Sequence, residues 1–156
     1  ELIQYYRNLQ DSAKNLSSLA RKAAIGVLWD TGMQSAYGYY LKICENEKQN
    51  AWESLVVRKI AGLEVAFLCI SNYIQSSLFS KEVFSKTRAD LCLLYGTNGR
   101  VSIRRSNNKT SCRVIASCLV EGGGHDYAAG GKIKNIALEN DAYVRELEEV
   151  VRTAIE

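Results

Sequence analysis

The stretch LVEGGGHDYAAGGKI, residues 119–133, constrains this chain more than any other segment. It holds five of the eleven glycines and the only histidine of the sequence within fifteen residues. Flexible linkers are also rich in glycine, but they are usually padded with serine and other polar residues. Glycines adopt positive φ angles without strain, and their N–H groups can converge on an anion. The run therefore predicts a loop that contacts a ligand.

His125 follows the three consecutive glycines directly. An imidazole donates hydrogen bonds and carries a positive charge when protonated, so it suits a phosphate oxygen. The alternative interpretation is a helix that ends at glycine, followed by an incidental surface histidine. The combination of Gly-Gly-Gly-His with Ala-Ala-Gly shortly after it favours phosphate binding.

The composition excludes several classes of protein. A chain of 156 residues with 47% hydrophobic and 24% charged residues suits one folded domain with an appendage. The net charge of +3 is compatible with a phosphate-bearing ligand but too small for a DNA-coating protein. The five cysteines form no C-x-x-C pair, which argues against a zinc site and a secreted disulfide framework. Apolar runs such as VAFLCI are too short to span a bilayer, and no signal peptide opens the chain, so we expect a cytoplasmic protein without a membrane partner.

The first part of the chain is helical in pattern. Apolar residues recur in steps of four and three over residues 2–28, which predicts one long amphipathic helix or two in series, with a weak point at NLSS. WDTG at 29–32 predicts a break, after which residues 34–62 continue a helical pattern. Because Glu1 already lies inside the pattern, we expect a piece of a longer protein. Residues 1–62 are thus predicted to be a helical linker region, whose apolar stripe is covered by self-association or by folding back onto residues 33–60.

The character changes at residue 63. LEVAFLCI predicts a strand, SSLFSKEVFSKTR a helix, and DLCLLYG with NGRVSIRR a hairpin closed by GTNG. SCRVIASCLV predicts an amphipathic helix ended by the glycine run, GKIKNIAL a strand, and residues 141–155 a final helix. Alternating helices and strands predict an α/β fold over residues 63–156, with a mixed sheet flanked by helices.

Two motifs, Ser-x-Arg in VSIRRSN and Gly-Gly-Gly-His-x-x-Ala-Ala-Gly after a helix, resemble a known family. The resemblance is to the DHH-associated domain, the C-terminal substrate-binding lobe of the DHH phosphoesterases. That family includes RecJ-type single-strand exonucleases, oligoribonucleases that also dephosphorylate pAp (nano-RNases), and cyclic dinucleotide phosphodiesterases. The likeness covers residues 63–156, and residues 1–60 match only as the helical linker before such a lobe.

The resemblance implies a set of site residues. Those implied to bind substrate phosphate are Ser102, Arg104, Gly122, Gly123, Gly124 and His125. Ala128, Ala129 and Gly130 would be the small residues that let the glycine loop pack against the sheet. Arg105 stands where a serine is more usual. Strand alternation puts Ser102 and Arg104 on one face and Arg105 on the other, which favours Arg104, with its planar fork of donors, as the phosphate ligand.

The family's catalytic site has no counterpart in this sequence. DHH phosphoesterases hold manganese through several aspartates and histidines of a separate N-terminal domain, whereas this chain has one histidine. The resemblance thus implies no cofactor in this chain, manganese in the missing catalytic domain, and no catalytic residue here. The parent protein would be a phosphoesterase or exonuclease, and this chain alone would be inactive.

The leading hypothesis is therefore a substrate-binding lobe for a nucleotide or short single-stranded nucleic acid, working beside a DHH catalytic domain. One alternative is a non-catalytic RNA-binding module of the kind found in alanyl-tRNA synthetases. Another is an interaction domain in which the glycine loop binds nothing. The resemblance does not choose among oligonucleotide, pAp, cyclic dinucleotide and polyphosphate as the ligand.

Overall fold

The computed structural model describes residue 3, residues 6–7, residues 12–134 and residues 139–155. Along these residues the helices are α1 (Ser12–Ala24), α2 (Thr31–Glu53), α3 (Ser76–Thr87), α4 (Cys112–Ser117) and α5 (Asn140–Ile155). The strands are β1 (Val56–Ile60), β2 (Leu63–Cys69), β3 (Leu91–Tyr95), β4 (Arg100–Arg105), β5 (Val120–Gly124) and β6 (Ala128–Lys132). These elements form the α/β fold with a mixed sheet that the sequence predicts.

The strands make one sheet in the order β1-β2-β3-β4-β6-β5. β2 and β3 run parallel because α3 connects them, and the other neighbouring pairs are antiparallel. All five residues of β3 are buried, as expected for a central strand with helices on both faces. The glycine run lies at the opposite end of the sheet from β1, in the edge strand β5.

Apolar side chains form a core on each face of the sheet. On one face α4 and α5 pack against the sheet through side chains such as Ile115 and Leu147, which meet Ile103 of β4. On the other face α2 and α3 cover β2 and β3, and Phe79 packs with Leu94. Among the described residues, this second core takes no member from β4, β6 or β5. The part of this face formed by β4, β6 and β5 is therefore not covered by the second core. We call it the open face.

The break predicted at residues 29–32 is confirmed, but it spans residues 25–30, because α1 ends at Ala24 and α2 begins at Thr31. Asp30 caps α2, because its Oδ1 accepts a hydrogen bond of 2.8 Å from the backbone N–H of Met33. Its Oδ2 also accepts a bond of 2.7 Å from Lys22, which lies on α1. The weak point predicted at NLSS was wrong, since residues 15–18 lie inside α1. Serine and asparagine lower helix propensity too little to end a helix by themselves.

Three other predictions need correction. Residues 56–60 were expected to continue the helical pattern, but they form β1, because the β-branched pair Val56–Val57 gains a partner in β2. The helix predicted over residues 111–120 ends at Ser117, and Val120 already belongs to β5. The strand predicted over residues 131–138 ends at Lys132, and residues 135–138 lie outside the described residues. The final helix is confirmed, with Tyr143, Leu147 and Val151 buried and Val150 and Ala154 packed beside them.

Candidate functional site

The glycine run is a strand and not a loop. Gly122, Gly123 and Gly124 belong to β5, which pairs with β6 through a bulge between Val120 and Gly123. The hairpin closes at His125, whose N–H donates to the carbonyl of Ala128 at 2.8 Å and whose carbonyl accepts from Ala128 N–H at 3.2 Å. The loop prediction was wrong because three glycines remain compatible with strand pairing when the partner strand is also made of small residues.

The three glycines differ in what surrounds them. A Cβ at Gly122 would overlap the carbonyl oxygen of Ala116 in α4. Gly124 has a φ of 134°, and a Cβ there would lie 2.6 Å from the Cα of Ala129. A Cβ at Gly123 would meet nothing within 4 Å. The fold therefore requires glycine at positions 122 and 124, whereas Gly123 alone of the three presents an open backbone surface.

The expected positive φ angles occur at only one of these glycines, Gly124. The other left-handed residue of the hairpin is Glu121, with a φ of 52° at the bulge. The hairpin thus has Gly124 beside its turn and a strained non-glycine residue, Glu121, at its bulge.

Ala128, Ala129 and Gly130 lie in β6, between β4 and β5. A Cβ at Gly130 would lie 2.5 Å from the carbonyl oxygen of Val101 in β4. Ala129 is buried and joins the core beneath the sheet. These residues are therefore part of the sheet itself. Ala128 and Gly130 share the open face with Arg104 and Ser102, and their small size keeps that surface low between β4 and β5.

The sheet register brings the two predicted motifs together. Ser102 pairs with Gly130, and Gly130 pairs with Gly123, which makes one row across three strands. Arg104 pairs with Ala128, which faces His125 at the hairpin end, and this makes a second row. Directly paired residues and residues two apart share a face of a sheet. Both rows therefore belong to the open face.

Arg104 and Arg105 are held in different places. Arg104 is half-buried, and its Nη1 donates to the carbonyls of Ile103 at 2.8 Å and Ala129 at 3.3 Å. Arg105 donates from Nη1 to the carbonyl of Thr110 at 2.8 Å, in the segment that leads to α4. The two arginines thus point to opposite sides of β4, as alternation along a strand predicts.

His125 is exposed at the hairpin tip. Its ring stacks on the ring of Tyr127, with centroids 5.6 Å apart and planes 8° from parallel. Next to it, Asp126 accepts a hydrogen bond of 2.6 Å from Ser111, which lowers the pKa of the Asp126 carboxyl. The tip therefore presents an aromatic pair beside an ionised carboxylate.

A cleft of about 560 Å³ occupies the open part of the sheet face. Of the predicted site residues it is lined by Ser102, Gly123 and Gly130. Arg104 and His125 are not among its lining residues and lie one row further along the face, while Gly122 and Gly124 do not line it either. The predicted residues therefore divide between the floor of the cleft and the surface beside it.

Sequence reasoning missed several residues of this cleft. Arg100 and Lys132 line it, and each stands two residues from a predicted position on its own strand, so strand alternation could have found them. The segment Ile70–Ser76 forms another wall, where Ser76 accepts a hydrogen bond of 3.2 Å from Ser102. The contact between Ser102 and Ser76 could not be predicted from a local sequence pattern, because the two residues are 26 positions apart.

The described residues contain no group of three or more His, Cys, Asp or Glu side chains that could hold a metal ion. The cleft offers cations, hydroxyl groups, amides and open backbone, and Glu121 is the single carboxylate that the described residues contribute to its lining. Such groups recognise anions and the polar edges of nucleotides, and they do not fit a manganese ion. Separately, no helix among the described residues is long and apolar enough to span a membrane.

Comparison with known proteins gives a family and a fold. Residues 48–155 match the protein family described as the DHHA1 domain. No curated protein shows significant sequence similarity to the chain. Among solved structures, a pGpG-specific phosphodiesterase from Vibrio cholerae superposes with a TM-score of 0.54 at 11% identity, covering 97% of this chain and 55% of that one. An exopolyphosphatase-related protein from Bacteroides fragilis gives a TM-score of 0.52 at 17% identity, covering 96% and 46%.

At these identities the likeness establishes the fold alone. The present chain spans 55% and 46% of the length of these two structures.

Proposed function

This chain belongs to the DHHA1 domain family, and from that membership we propose that it is the substrate-binding lobe of a DHH-type phosphoesterase. In this proposal the lobe grips phosphates of a nucleotide or short single-stranded nucleic acid, and a manganese-dependent DHH domain performs the hydrolysis. The name of one structural neighbour, a pGpG-specific phosphodiesterase, supports a nucleotide as the ligand.

The observation that carries the proposal is the convergence of Arg104, Ser102, Gly123 and His125 on one open face of the sheet. A guanidinium offers five N–H donors in a fixed plane, and Arg104 uses Nη1 for backbone carbonyls. The donors left over can meet a phosphate beside the cleft. Gly123 lets the ligand approach the backbone, because no side chain fills the space above it.

Replacing Arg104 by alanine is expected to weaken binding of a 5′-phosphorylated dinucleotide by about 1.5–3 kcal/mol, as for a hydrogen bond to a charged group. Arg104→Lys should restore only part of the affinity, because a point charge cannot reproduce a planar fork. His125→Ala should also weaken binding. Calorimetric titration measures these changes, and thermal melting of each variant separates lost contacts from lost structure.

Arg105→Ala is the matched control, since it removes the same charge from the neighbouring residue on the other side of β4. The proposal fails if wild type and the Arg104 and His125 variants bind the dinucleotide equally. Tight binding of a folded tRNA without any affinity for short oligonucleotides would favour the RNA-binding module instead.

The chain incubated by itself with manganese is expected not to hydrolyse nano-RNA, pAp or cyclic dinucleotides. His125 is the only histidine of the sequence, and the described residues offer no group that could hold a metal ion. Product release measured by chromatography tests this expectation. Turnover that persists through purification and disappears when a residue of this chain is replaced would contradict it.

A further inference from the structure

Two cations line the cleft, away from Arg104. Arg100 of β4 pairs directly with Lys132 of β6, and both residues line the cleft together with Ser102. Like charges placed directly opposite one another on a sheet repel and destabilise the pairing. Their repulsion is relieved when an anion lies between them, so the arrangement favours an anionic ligand.

A carboxylate from the glycine hairpin already occupies part of this position. Glu121 bonds to Lys132 at 2.5 Å, and both side chains are substantially exposed. The Lys132 ammonium lowers the pKa of the Glu121 carboxyl, so Glu121 is ionised at neutral pH. Within residues 12–134 and 139–155, no salt bridge neutralises Arg100. The three side chains therefore keep one net positive charge.

The backbone of Glu121 supports the same interpretation. Its φ of 52° lies in the left-handed region, which non-glycine residues rarely occupy. It stands at the bulge where β5 departs from regular pairing with β6. The ion pair between Glu121 and Lys132 is exposed and therefore weak, so a competing anion can displace the carboxylate.

We propose that Arg100 and Lys132 form a second phosphate-binding position, and that Glu121 is an internal counter-ion which the incoming phosphate displaces from Lys132. The inference rests on the proposed function and extends it, because it assigns to the lobe a ligand that carries at least two separated phosphates.

The distance between Arg100 and Arg104 along β4 indicates how far apart the phosphates of the ligand must be. Arg100 and Arg104 are four residues apart on one strand, which is about 13 Å at the rise of a β-strand. Arg104 does not line the cleft that Arg100 and Lys132 line, because its guanidinium is bonded to the carbonyls of Ile103 and Ala129. A phosphate held by Arg100 and Lys132 is therefore separate from a phosphate held by Arg104. Between them lies the floor formed by Ser102, Gly130 and Gly123, where the cleft leaves room for a nucleoside. A 5′-phosphorylated dinucleotide or a longer oligonucleotide fits this arrangement, and a nucleoside monophosphate fills only one position.

The test compares a nucleoside 5′-monophosphate with 5′-phosphorylated di- and trinucleotides at several salt concentrations. Arg100→Ala and Lys132→Ala should each weaken binding of the longer ligands about tenfold, the loss of one charge-assisted hydrogen bond, and leave the monophosphate unaffected. The slope of log K against log salt should become shallower by about 0.7 for each cation removed. Lys134→Ala, which removes an exposed charge outside the cleft lining, should change neither quantity.

Glu121→Gln is expected to strengthen binding, whereas Arg100→Ala and Lys132→Ala weaken it, so it is the more discriminating variant. It keeps the size of the side chain but removes the competing carboxylate, so the di- and trinucleotides should bind about threefold more tightly, the scale of an exposed ion pair. The salt slope should also steepen, because Lys132 would then release a dissolved counter-ion on binding in place of a protein carboxylate. A variant that merely damaged the fold would not tighten binding.

Three results overturn the second position. These are unchanged affinity in all three variants, an equal loss for the monophosphate, and weaker binding by Glu121→Gln. If Arg104→Ala still weakens every ligand in that case, the proposed function survives and only this extension fails, whereas a wild type that binds none of them overturns both. Inorganic polyphosphate serves as the remaining probe. Losses on polyphosphate that exceed those on the oligonucleotides would keep the second phosphate position and assign its source to polyphosphate.

Discussion

Gly122→Ala is expected to destabilise the protein by about 3 kcal/mol, the upper part of the range for overpacking, whereas Gly123→Ala should fold as well as wild type. At position 122 the new Cβ would overlap the carbonyl oxygen of Ala116 and lie 2.7 Å from its carbonyl carbon. Both are backbone atoms of α4, so the strain can be relieved only by moving the helix away from β5. At position 123 a Cβ meets nothing within 4 Å.

Urea denaturation monitored by circular dichroism measures both stabilities, and titration with a phosphorylated dinucleotide measures binding. Gly123→Ala should bind more weakly while its free energy of unfolding stays within about 1 kcal/mol of wild type, the scale of a glycine-to-alanine change at an unstrained position. Equal stability of Gly122→Ala and wild type would show that α4 does not need its close approach to β5. Undiminished binding by Gly123→Ala would show that the ligand does not touch the backbone there.

Gly122 and Gly123 also illustrate which structural roles can be predicted from the sequence and which cannot. In the sequence the three glycines are equivalent, and the likeness to a known family treats them as one loop. The structure separates them through contacts with Ala116 and Ala129, which depend on the packing of α4 and the register of β6. A residue's role could not be predicted where it depends on a neighbour that is distant along the chain.

Local signals were sufficient elsewhere. The hairpin of β3 and β4 follows from the turn GTNG, where Gly99 has a φ of 78°. The final helix α5 follows from the spacing of Tyr143, Leu147 and Val151, which are all buried against the sheet. In both cases the pattern in the sequence and the physical cause lie within a few residues of each other.

In the candidate site, some residues could be placed from local sequence patterns, whereas others depend on neighbours distant along the chain. Ser102 and Arg104 could be placed on one face by alternation along a single strand, and the structure has them there. Lys132 and Glu121 become neighbours only because a bulge shifts β5 against β6. The wall from Ile70 to Ser76 comes from the crossover between β2 and α3. The floor of the cleft was therefore predictable in part, while its walls and its charge balance were not.

Asp90 connects the start of β2, the start of β3 and the segment after β4 through its side chain. It precedes β3 and is 7% exposed. Its Oδ2 accepts a hydrogen bond of 2.9 Å from the N–H of Glu64, at the start of β2. Its Oδ1 accepts from Asn107 at 2.7 Å and pairs with Lys109 at 2.8 Å. One carboxylate thus fixes two strands and the segment that follows β4, the strand that carries Ser102 and Arg104.

Asp90→Ala is expected to lower the free energy of unfolding by about 3 kcal/mol, because it leaves the partners of a buried carboxylate unpaired. Asp90→Asn should cost less, since an amide keeps one acceptor oxygen but loses the charge that Lys109 requires. Equilibrium denaturation in urea at neutral pH measures both changes. Glu45→Gln, at an exposed carboxyl on α2, is the control and should stay close to wild type.

The dependence on pH identifies the charge as the cause. Hydrogen bonds from Lys109 and from the backbone of Glu64 lower the pKa of Asp90 from 3.8 to about 2 in the folded protein. Since the unfolded chain binds this proton more readily, the contribution is fully present above the ordinary pKa and is lost as the pH falls through about 2. The stability difference between wild type and Asp90→Asn should therefore be constant from pH 7 to pH 5 and shrink steadily between pH 4 and pH 2. A difference that keeps its size over that interval would mean that Asp90 acts through its shape and hydrogen bonds, and that its charge contributes nothing.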